Sequence, residues 1–176
     1  MDIVEFFQQS AGKWSSMRTS HHPEKPQQGG RSTIEIELLE NSDAAVVKLC
    51  ELTKTDPALV SCAVRTTWDT ANPWDEEKPG TRVLVAIADS TPSNEGKLIR
   101  DMGIGKPPIV GRYSLEVNDE LTMVVESDAF SAHERLWFES ENVRLRHSIV
   151  QRSGGASIAS FCSEVRMGVA KPAENA

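Results

Sequence analysis

Two arginines and a serine stand at alternate positions near the end of the sequence, at Arg144, Arg146 and Ser148. This spacing is that of an extended strand, in which alternate side chains share one face. Such a row can be a solvated outer face, or it can line a pocket that binds an anionic ligand. Arginine suits the second task because its rigid, permanently charged guanidinium matches a carboxylate better than lysine does. An anion-binding site is therefore one hypothesis for this segment.

Two glutamates could act beside these arginines. Glu134 lies in the preceding strand segment, and the turn at Ser140 and Glu141 is short enough for the two strands to form a hairpin. The carboxylate of Glu134 could accept hydrogen bonds from ligand N–H groups, or donate a proton if burial raises its pKa. Glu164, two residues before Arg166, is either a second inward-facing carboxylate or the partner of an arginine in a structural ion pair.

Alternation by itself favours the solvated face for the arginines. Val143, Leu145 and Ile149 occupy the opposite face together with His147, and an apolar row usually points to the core. A barrel that encloses a cavity reverses this expectation, because its lumen can hold polar groups while helices or a partner cover its outer surface. Both interpretations stay open at this point.

Tryptophan is frequent in this chain, with four residues against a single tyrosine. Trp68 ends a strand segment and Trp74 follows in a polar, proline-containing loop, where an indole could stack on a flat conjugated ligand. Core packing is the alternative, and it suits Trp137 better than Trp74. Arg18, in the first strand segment, could also reach a pocket, although a surface position is the simpler interpretation.

The composition indicates one globular domain of 176 residues, of which 39% are hydrophobic and 26% charged. The net charge of −7 argues against nucleic acid or an anionic membrane as the main partner, since both favour basic patches. The sequence shows no secretory leader and no apolar run of membrane-spanning length. We therefore expect a cytoplasmic protein that is not an integral membrane protein.

Metal and nucleophile motifs are not found in the sequence. Cys50, Cys62 and Cys162 are too few and too widely spaced for a disulfide framework, so we expect reduced thiols. The four histidines show no metal-ligand spacing with each other or with the cysteines, and we predict no metal site. There is no Gly-x-Ser-x-Gly motif and no assembled nucleophile and base, which argues against a hydrolase.

The hydrophobic pattern predicts two helices and many short strands. The helices cover residues 2–11 and 41–53, and the polar residues 21–30, rich in Pro, Gln and Gly, predict a loop. Strand signals recur at 15–20, 31–40, 59–68, 81–89, 96–101, 109–117, 120–127, 132–140, 142–151 and 157–167. Consecutive strands with tight turns mean antiparallel pairing, and hence an all-β barrel or sandwich. We predict a single domain over 1–170 and a frayed tail over 171–176.

One local feature favours a barrel over a sandwich. The Gly12-Lys13-Trp14 segment at the first strand, with Arg166 near the end of the last, resembles the pattern of the calycins, the lipocalin and fatty-acid-binding proteins. There the tryptophan plugs the closed end of the barrel and the arginine packs across its ring in a cation–π contact. This resemblance implies a single antiparallel up-and-down barrel of about ten strands, with an N-terminal helix and one further short helix. A plain core aromatic is the alternative for Trp14.

Longer segments resemble one family. They are residues 65–68, 110–113, 134–138, 142–148 and 159–167. These segments look like the S-type phycobiliprotein lyases, the CpcS/CpeS family of cyanobacteria and related plastids, and the similarity runs over nearly the whole chain.

This resemblance implies an enzyme, a bilin:cysteine chromophore lyase. Its substrate would be an open-chain tetrapyrrole, phycocyanobilin or phycoerythrobilin, attached by a thioether bond to a cysteine of a phycobiliprotein α or β subunit. The acceptor supplies the thiol, so the resemblance implies no separate cofactor and no catalytic cysteine in this chain. It also implies a cytoplasmic location near the thylakoid phycobilisomes, and it allows a homodimer or a heterodimer with a related lyase subunit.

The same resemblance implies the site residues. Glu134 and Arg146 are the catalytic pair. The substrate-binding residues are Arg18, Trp68, Trp74, Arg144, Arg146, Ser148 and Glu164. His147 and the loop 72–79 depart from the family pattern, which leaves the preferred bilin and the acceptor open. The alternative function is a non-catalytic, lipocalin-like carrier of a bilin or a fatty acid.

Overall fold

Ten antiparallel strands form a closed barrel in which each strand pairs with its neighbours in sequence and the last pairs with the first. The computed structural model describes residues 1–70, 79–90 and 94–168. Its strands are β1 (Gly12–His22), β2 (Lys25–Leu39), β3 (Cys62–Thr70), β4 (Gly80–Ala88), β5 (Glu95–Arg100), β6 (Ile109–Leu115), β7 (Leu121–Glu126), β8 (Phe130–Ser140), β9 (Val143–Arg152) and β10 (Ser157–Arg166). The helices of the described part are α1 (Ile3–Ser10), α2 (Ala44–Leu52) and a 3₁₀ turn, Pro57–Leu59. The predicted barrel with two short helices is confirmed.

The loop predicted over 21–30 is wrong. β1 runs to His22 and β2 begins at Lys25, so most of this segment extends one long hairpin, with a register shift between Ser20 and His22. The polar, glycine-rich composition disfavours a strand locally, but pairing with β1 satisfies the backbone donors and acceptors on that side. Tertiary context overrides strand propensity here, as it commonly does in sheets.

One end of the barrel is closed by α1 and a tryptophan plug. The apolar face of α1 buries Phe6 and Phe7 against the barrel interior. Trp14 is fully buried, and its indole N–H donates to the Ser10 carbonyl at 2.9 Å. The Arg166 guanidinium carbon lies 4.2 Å from the Trp14 ring centroid, and the same guanidinium donates to the last carbonyls of the helix segment. The calycin-like plug expected from the sequence is therefore present.

The second helix covers part of the outer wall. α2 begins after its cap Asp43, whose carboxylate accepts from the Ala45 N–H at 2.8 Å. Its buried residues pack on outward-facing residues of β3, β4 and β5, which makes a second hydrophobic core outside the barrel. The members of this outer core are Val46, Leu49, Cys50, Val60, Ala63, Val83, Val85 and Ile99. The outer face of β3–β5 is thus apolar where α2 covers it.

Trp137 does not have the core position expected for it. It lies between the inward-facing Leu136 and Phe138 in β8, so strand alternation directs its indole to the outer wall. There it packs against Phe161 of β10, with ring centroids 6.5 Å apart.

The state of the cysteines and the character of the helices were also predicted from the sequence. Cys50, Cys62 and Cys162 are buried free thiols, as predicted. In the described ranges, no helix combines the length and the apolar character needed to cross a membrane. The predicted tail, 171–176, lies outside the described residues.

Candidate functional site in the barrel lumen

The arginine row of β9 faces the barrel lumen. Arg144 is 3% exposed, whereas Ile149 on the opposite face of the strand is 42% exposed. Arg144 pairs across the ladder with Glu164, and Arg146 pairs with Cys162, both of which are buried. The lumen can hold these charges because each buried guanidinium finds a carboxylate or an aromatic ring inside the barrel, so the charges are compensated.

Glu164 ties the two arginines together. It is fully buried, and its two carboxylate oxygens accept from Arg144 Nε at 2.7 Å and from Arg146 Nη2 at 2.8 Å. The Arg144 guanidinium also lies 5.1 Å from the ring centroid of Trp14. Burial raises the pKa of Glu164, but Arg146 and Arg144 together outweigh burial and hold the pKa below its usual value. Glu164 therefore forms a structural ion pair with arginine, which was one of the two interpretations that its sequence position allowed.

Arg146 keeps a donor for a ligand. Its side chain is 29% exposed, compared with 4% for Arg144. Its Nε–H is buried and has no hydrogen-bond partner among the described residues. A buried N–H without an acceptor is unfavourable, and the exposed part of this side chain is the part that a ligand in the lumen can contact.

Glu134 forms an ion pair with an arginine that the sequence did not single out. Arg100 Nη2 lies 2.5 Å from Glu134 Oε2, and the two side chains are 23% and 19% exposed. Burial raises the pKa of Glu134. The charges of Arg100 and Arg146 and the hydrogen bond from Arg100 lower it by more than burial raises it, so the pKa lies below its usual value. The carboxyl group of Glu134 is ionised at neutral pH.

A signal for Arg100 exists in the sequence, although it is a weak one. In β5, Gly96, Leu98 and Arg100 alternate, and Leu98 is 1% exposed on the lumen side. An arginine at the end of a strand, directly before Asp101, has the appearance of a solvated strand end. Its partner Glu134 is 34 residues away in sequence and three strands away in the barrel. No local sequence pattern predicts a pairing over that separation.

Trp68 lies on the lumen face of β3, half-buried against the main core. The Arg82 guanidinium carbon lies 5.4 Å from its ring centroid, a cation–π contact. Gly80 is opposite Trp68 in β4, and a Cβ at that position would come within 2.7 Å of the indole. The glycine therefore lets the indole lie flat against β4.

Two of the three remaining predicted site residues, Arg18 and Ser148, lie on the lumen side of the barrel. Arg18 follows the buried Trp14 and Ser16 on the same face of β1 and is opposite Cys162 of β10, so it lies on the lumen side, not on the surface. Ser148 is on the lumen face of β9, opposite Glu134. Trp74 lies outside the described residues.

The lumen is cationic in an acidic protein. The lumen faces of the described strands carry several guanidiniums and fewer carboxylates. The guanidiniums belong to Arg18, Arg82, Arg100, Arg144 and Arg146, and the carboxylates to Glu134 and Glu164. The whole chain carries a net charge of −7. This distribution favours an anionic ligand inside the barrel.

The fold and the site define a class of protein. A closed antiparallel barrel with a tryptophan–arginine plug at one end and charged side chains along its lumen is a calycin-like ligand-binding barrel. Comparison with known proteins identifies the family within this class. The sequence model of the CpeS-like protein family matches residues 2–167, and the chain belongs to this family.

Three related proteins illustrate the similarity. The chromophore lyase CpcS/CpeS of Thermosynechococcus vestitus is 49% identical over 178 residues, which is 99% of this chain and 98% of that protein. The phycocyanobilin lyase subunit CpcS of Picosynechococcus is 36% identical over 94% of this chain and 88% of its own length. The structure of the S-type phycobiliprotein lyase CPES from Guillardia theta superimposes with a TM-score of 0.85 at 29% identity, covering 97% of this chain and 95% of that one. The lyase family inferred from the sequence is confirmed.

Proposed function

We propose that this chain binds an open-chain tetrapyrrole in its lumen and delivers it to a cysteine of a phycobiliprotein subunit. The observation that carries the proposal is the inward projection of the β9 guanidiniums beside an ionised Glu134. The names of the relatives, chromophore lyase and phycocyanobilin lyase subunit, support the same reaction.

The lumen has donors and acceptors that match such a ligand. A bilin carries two propionate groups and four pyrrole-type nitrogens. The propionates call for guanidiniums, which bind carboxylates with two parallel hydrogen bonds. The pyrrole-type N–H groups call for an acceptor, which Glu134 supplies. The indole of Trp68 offers a flat face for the conjugated system.

The predicted site residues divide into two groups by geometry. We assign bilin contacts to Arg146, whose side chain is 29% exposed, and to Glu134, together with Arg18, Ser148 and Trp68 on the lumen faces. Arg144 and Glu164 are almost fully buried and bonded to each other. We assign these two residues to holding Arg146 in position, and we keep Trp74 as a bilin contact on the resemblance alone.

The bond-forming step needs no residue of this chain as the nucleophile. The thiol of the acceptor cysteine adds across the ethylidene double bond of the bilin A ring, forming the S–C bond, and its hydrogen ends on the adjoining ring carbon. The cysteines of the barrel are buried, and burial raises the pKa of Cys62 to about 12. The contribution of the barrel is positioning, which exposes one reactive carbon and holds the bilin in one geometry.

The test is chromophore transfer in a purified system. Phycocyanobilin or phycoerythrobilin is mixed with each apo-subunit, α or β, with and without this chain, and the thioether adduct is measured by mass spectrometry and absorbance. We expect faster formation of a single stereoisomer with the chain present. Equal rate and stereochemistry without it would rule out a lyase, and saturable bilin binding without acceleration would indicate the carrier function. The same titrations identify the preferred bilin and acceptor.

The assembly and location of the lyase are also proposals. We propose that the chain works in the cyanobacterial cytoplasm near the phycobilisomes, where the acceptor subunits are assembled. Light scattering with and without a related lyase subunit distinguishes a single chain from a homodimer or a heterodimer.

A further inference from the structure

We propose that Arg100 is a positioning residue that fixes Glu134 as a hydrogen-bond acceptor for the bilin N–H groups, so that Glu134 is not the proton donor of the reaction. The inference rests on the function proposed above and assigns the role of one residue within it.

The geometry of the pair is the first argument. Arg100 reaches from β5 across the inner faces of β6 and β7 to Glu134 on β8, and its Nη2 also lies 3.9 Å from the sulfur of Met123 on β7. Met123 is directly opposite Glu134 in the ladder and is 5% exposed. The carboxylate is therefore held beside an apolar side chain by one guanidinium, which engages its Oε2 oxygen.

The charges around Glu134 are the second argument. The charged groups that act on Glu134 are Arg100 of β5 and Arg146 of β9, and Arg18 of β1 and Cys162 and Glu164 of β10 lie on the same lumen faces. Glu164 is already engaged by Arg144 and Arg146, so its charge is compensated. The field at Glu134 is positive, and a positive field favours the carboxylate over the carboxylic acid.

The chemistry of the step is the third argument. Addition of a thiol to a carbon–carbon double bond is balanced in protons, because the hydrogen lost from sulfur is gained by carbon. An external acid is not required by stoichiometry, whereas an acceptor for the bilin N–H groups would help to fix the tetrapyrrole. An ion-paired carboxylate suits the second task and opposes the first.

The test uses the free protein first, because this part does not depend on bilin. The carboxyl carbon of Glu134 is followed by NMR against pH and assigned by its loss in E134Q. We expect a pKa below the usual value in the wild-type protein and a higher pKa in R100Q. Arg100→Lys keeps the charge and should keep the lowered pKa. Unchanged titration in R100Q would overturn the inference.

The second part measures bilin. We expect wild-type affinity to be nearly constant from pH 8 to pH 5.5, and R100Q to lose about twofold or more by pH 5.5, the loss reached when half of the Glu134 carboxylates are protonated. The sign follows because binding needs the ionised carboxylate, and a higher pKa moves its protonation to higher pH. The double variant R100Q/E134Q should lose this extra dependence. Faster transfer by R100Q at neutral pH would show a proton donor and overturn the inference.

Controls separate folding and function from the role of Arg100. Arg112 is on the neighbouring strand β6, but it pairs with Asp89 on the outer wall, so R112Q should behave as wild type in both assays. Thermal melts of R100Q and R100K identify loss of folding. If no variant, including wild type, binds a bilin, the proposed function fails, and the NMR titration still decides the state of Glu134.

Discussion

At the scale of single residues, the lumen contains two groups of charged side chains. One group is buried and bonded to other side chains, and the other remains exposed enough to contact a ligand. Arg144 and Glu164 are examples of the first group, since each is buried and bonded within the protein. Arg146 is an example of the second, since its side chain also bonds to Glu164 but is 29% exposed. Two arginines two positions apart thus have different environments, and their substitutions should have different effects.

Substitution of Arg146 should weaken binding, and a thermal melt separates this effect from the loss of one of the two counter-charges of Glu164. Arg146→Ala removes a charged donor from the lumen, and the loss of a charged hydrogen bond, about 1.5–3 kcal/mol, weakens bilin binding roughly ten- to hundredfold. An absorbance titration measures the affinity. Arg135→Ala is the matched control, because Arg135 belongs to the adjacent strand but pairs with Glu120 on the outer wall. Unchanged affinity in R146A would contradict the binding role.

Substitution of Glu164 should act mainly on stability. Glu164→Gln leaves Arg144 buried without its counter-charge, and loss of one partner of a buried pair costs about 3–5 kcal/mol. Denaturant unfolding at neutral pH measures the change. A substitution that costs less than 1 kcal/mol would show that Glu164 does not hold the arginines.

The stability contributed by Glu164 should also depend on pH. Its pKa is lower in the folded protein than in the unfolded chain, so the stabilisation is complete above the unfolded value of about 4.3 and is lost as the pH falls through the folded value. The difference in unfolding free energy between wild type and E164Q should therefore shrink below pH 4.5. A constant difference down to pH 3 would contradict this prediction.

At the scale of elements, close packing between strands depends on a few glycines. Gly96 of β5 lies beneath Tyr113 of β6, and a Cβ there would approach the Ile87 carbonyl to 2.2 Å and the Tyr113 ring to 2.5 Å. β5 also carries Arg100 at its end. The position of the Arg100 guanidinium therefore depends on how closely β5 approaches its neighbours.

Gly96→Ala should destabilise the barrel by about 1–3 kcal/mol, because a rigid carbonyl and a buried ring cannot both move aside. A thermal melt measures this, with roughly 2–4 °C expected per kcal/mol for a chain of this size. Gly29→Ala in β2 is the matched control, since its Cβ would meet an atom no closer than 3.6 Å. Equal melting temperatures for the two variants would contradict the packing argument.

Much of the element scale could be predicted from the sequence. Strand alternation gave the ten strands and the face shared by Arg144, Arg146 and Ser148, because alternation is a local property of an extended chain. The error over 21–30 arose where local composition opposed a pairing that the rest of β1 and β2 imposes. Trp137 was misplaced for the opposite reason, since residue type was given more weight than its position in the alternation.

At the scale of the whole molecule, charge is distributed unevenly between interior and exterior. The lumen concentrates arginines inside an acidic chain, and the plug of Trp14, Arg166 and α1 closes one end. A ligand with carboxylates should therefore be preferred over one of the same shape without charge.

The dimethyl ester of a bilin tests this preference. Esterification neutralises both propionates and keeps the conjugated system, so we expect binding to weaken by about tenfold or more, the effect of losing one charged hydrogen bond. Competition between the acid and the ester in an absorbance titration measures the ratio. The ratio should be smaller in R146A, and equal affinity of acid and ester for the wild-type protein would show that the cationic lumen does not select its ligand by charge.

The sequence by itself determined which side chains share a face, where most of the strands and helices lie, and the family, because each of these depends on local spacing or on direct resemblance. Only the tertiary structure decided that the arginine face is the inner one, because either face of an alternating strand can become interior until the barrel closes. It also decided the pairing of Arg100 with Glu134, since closure brings together inner faces separated by two strands. The chemistry of the site depends on that closure.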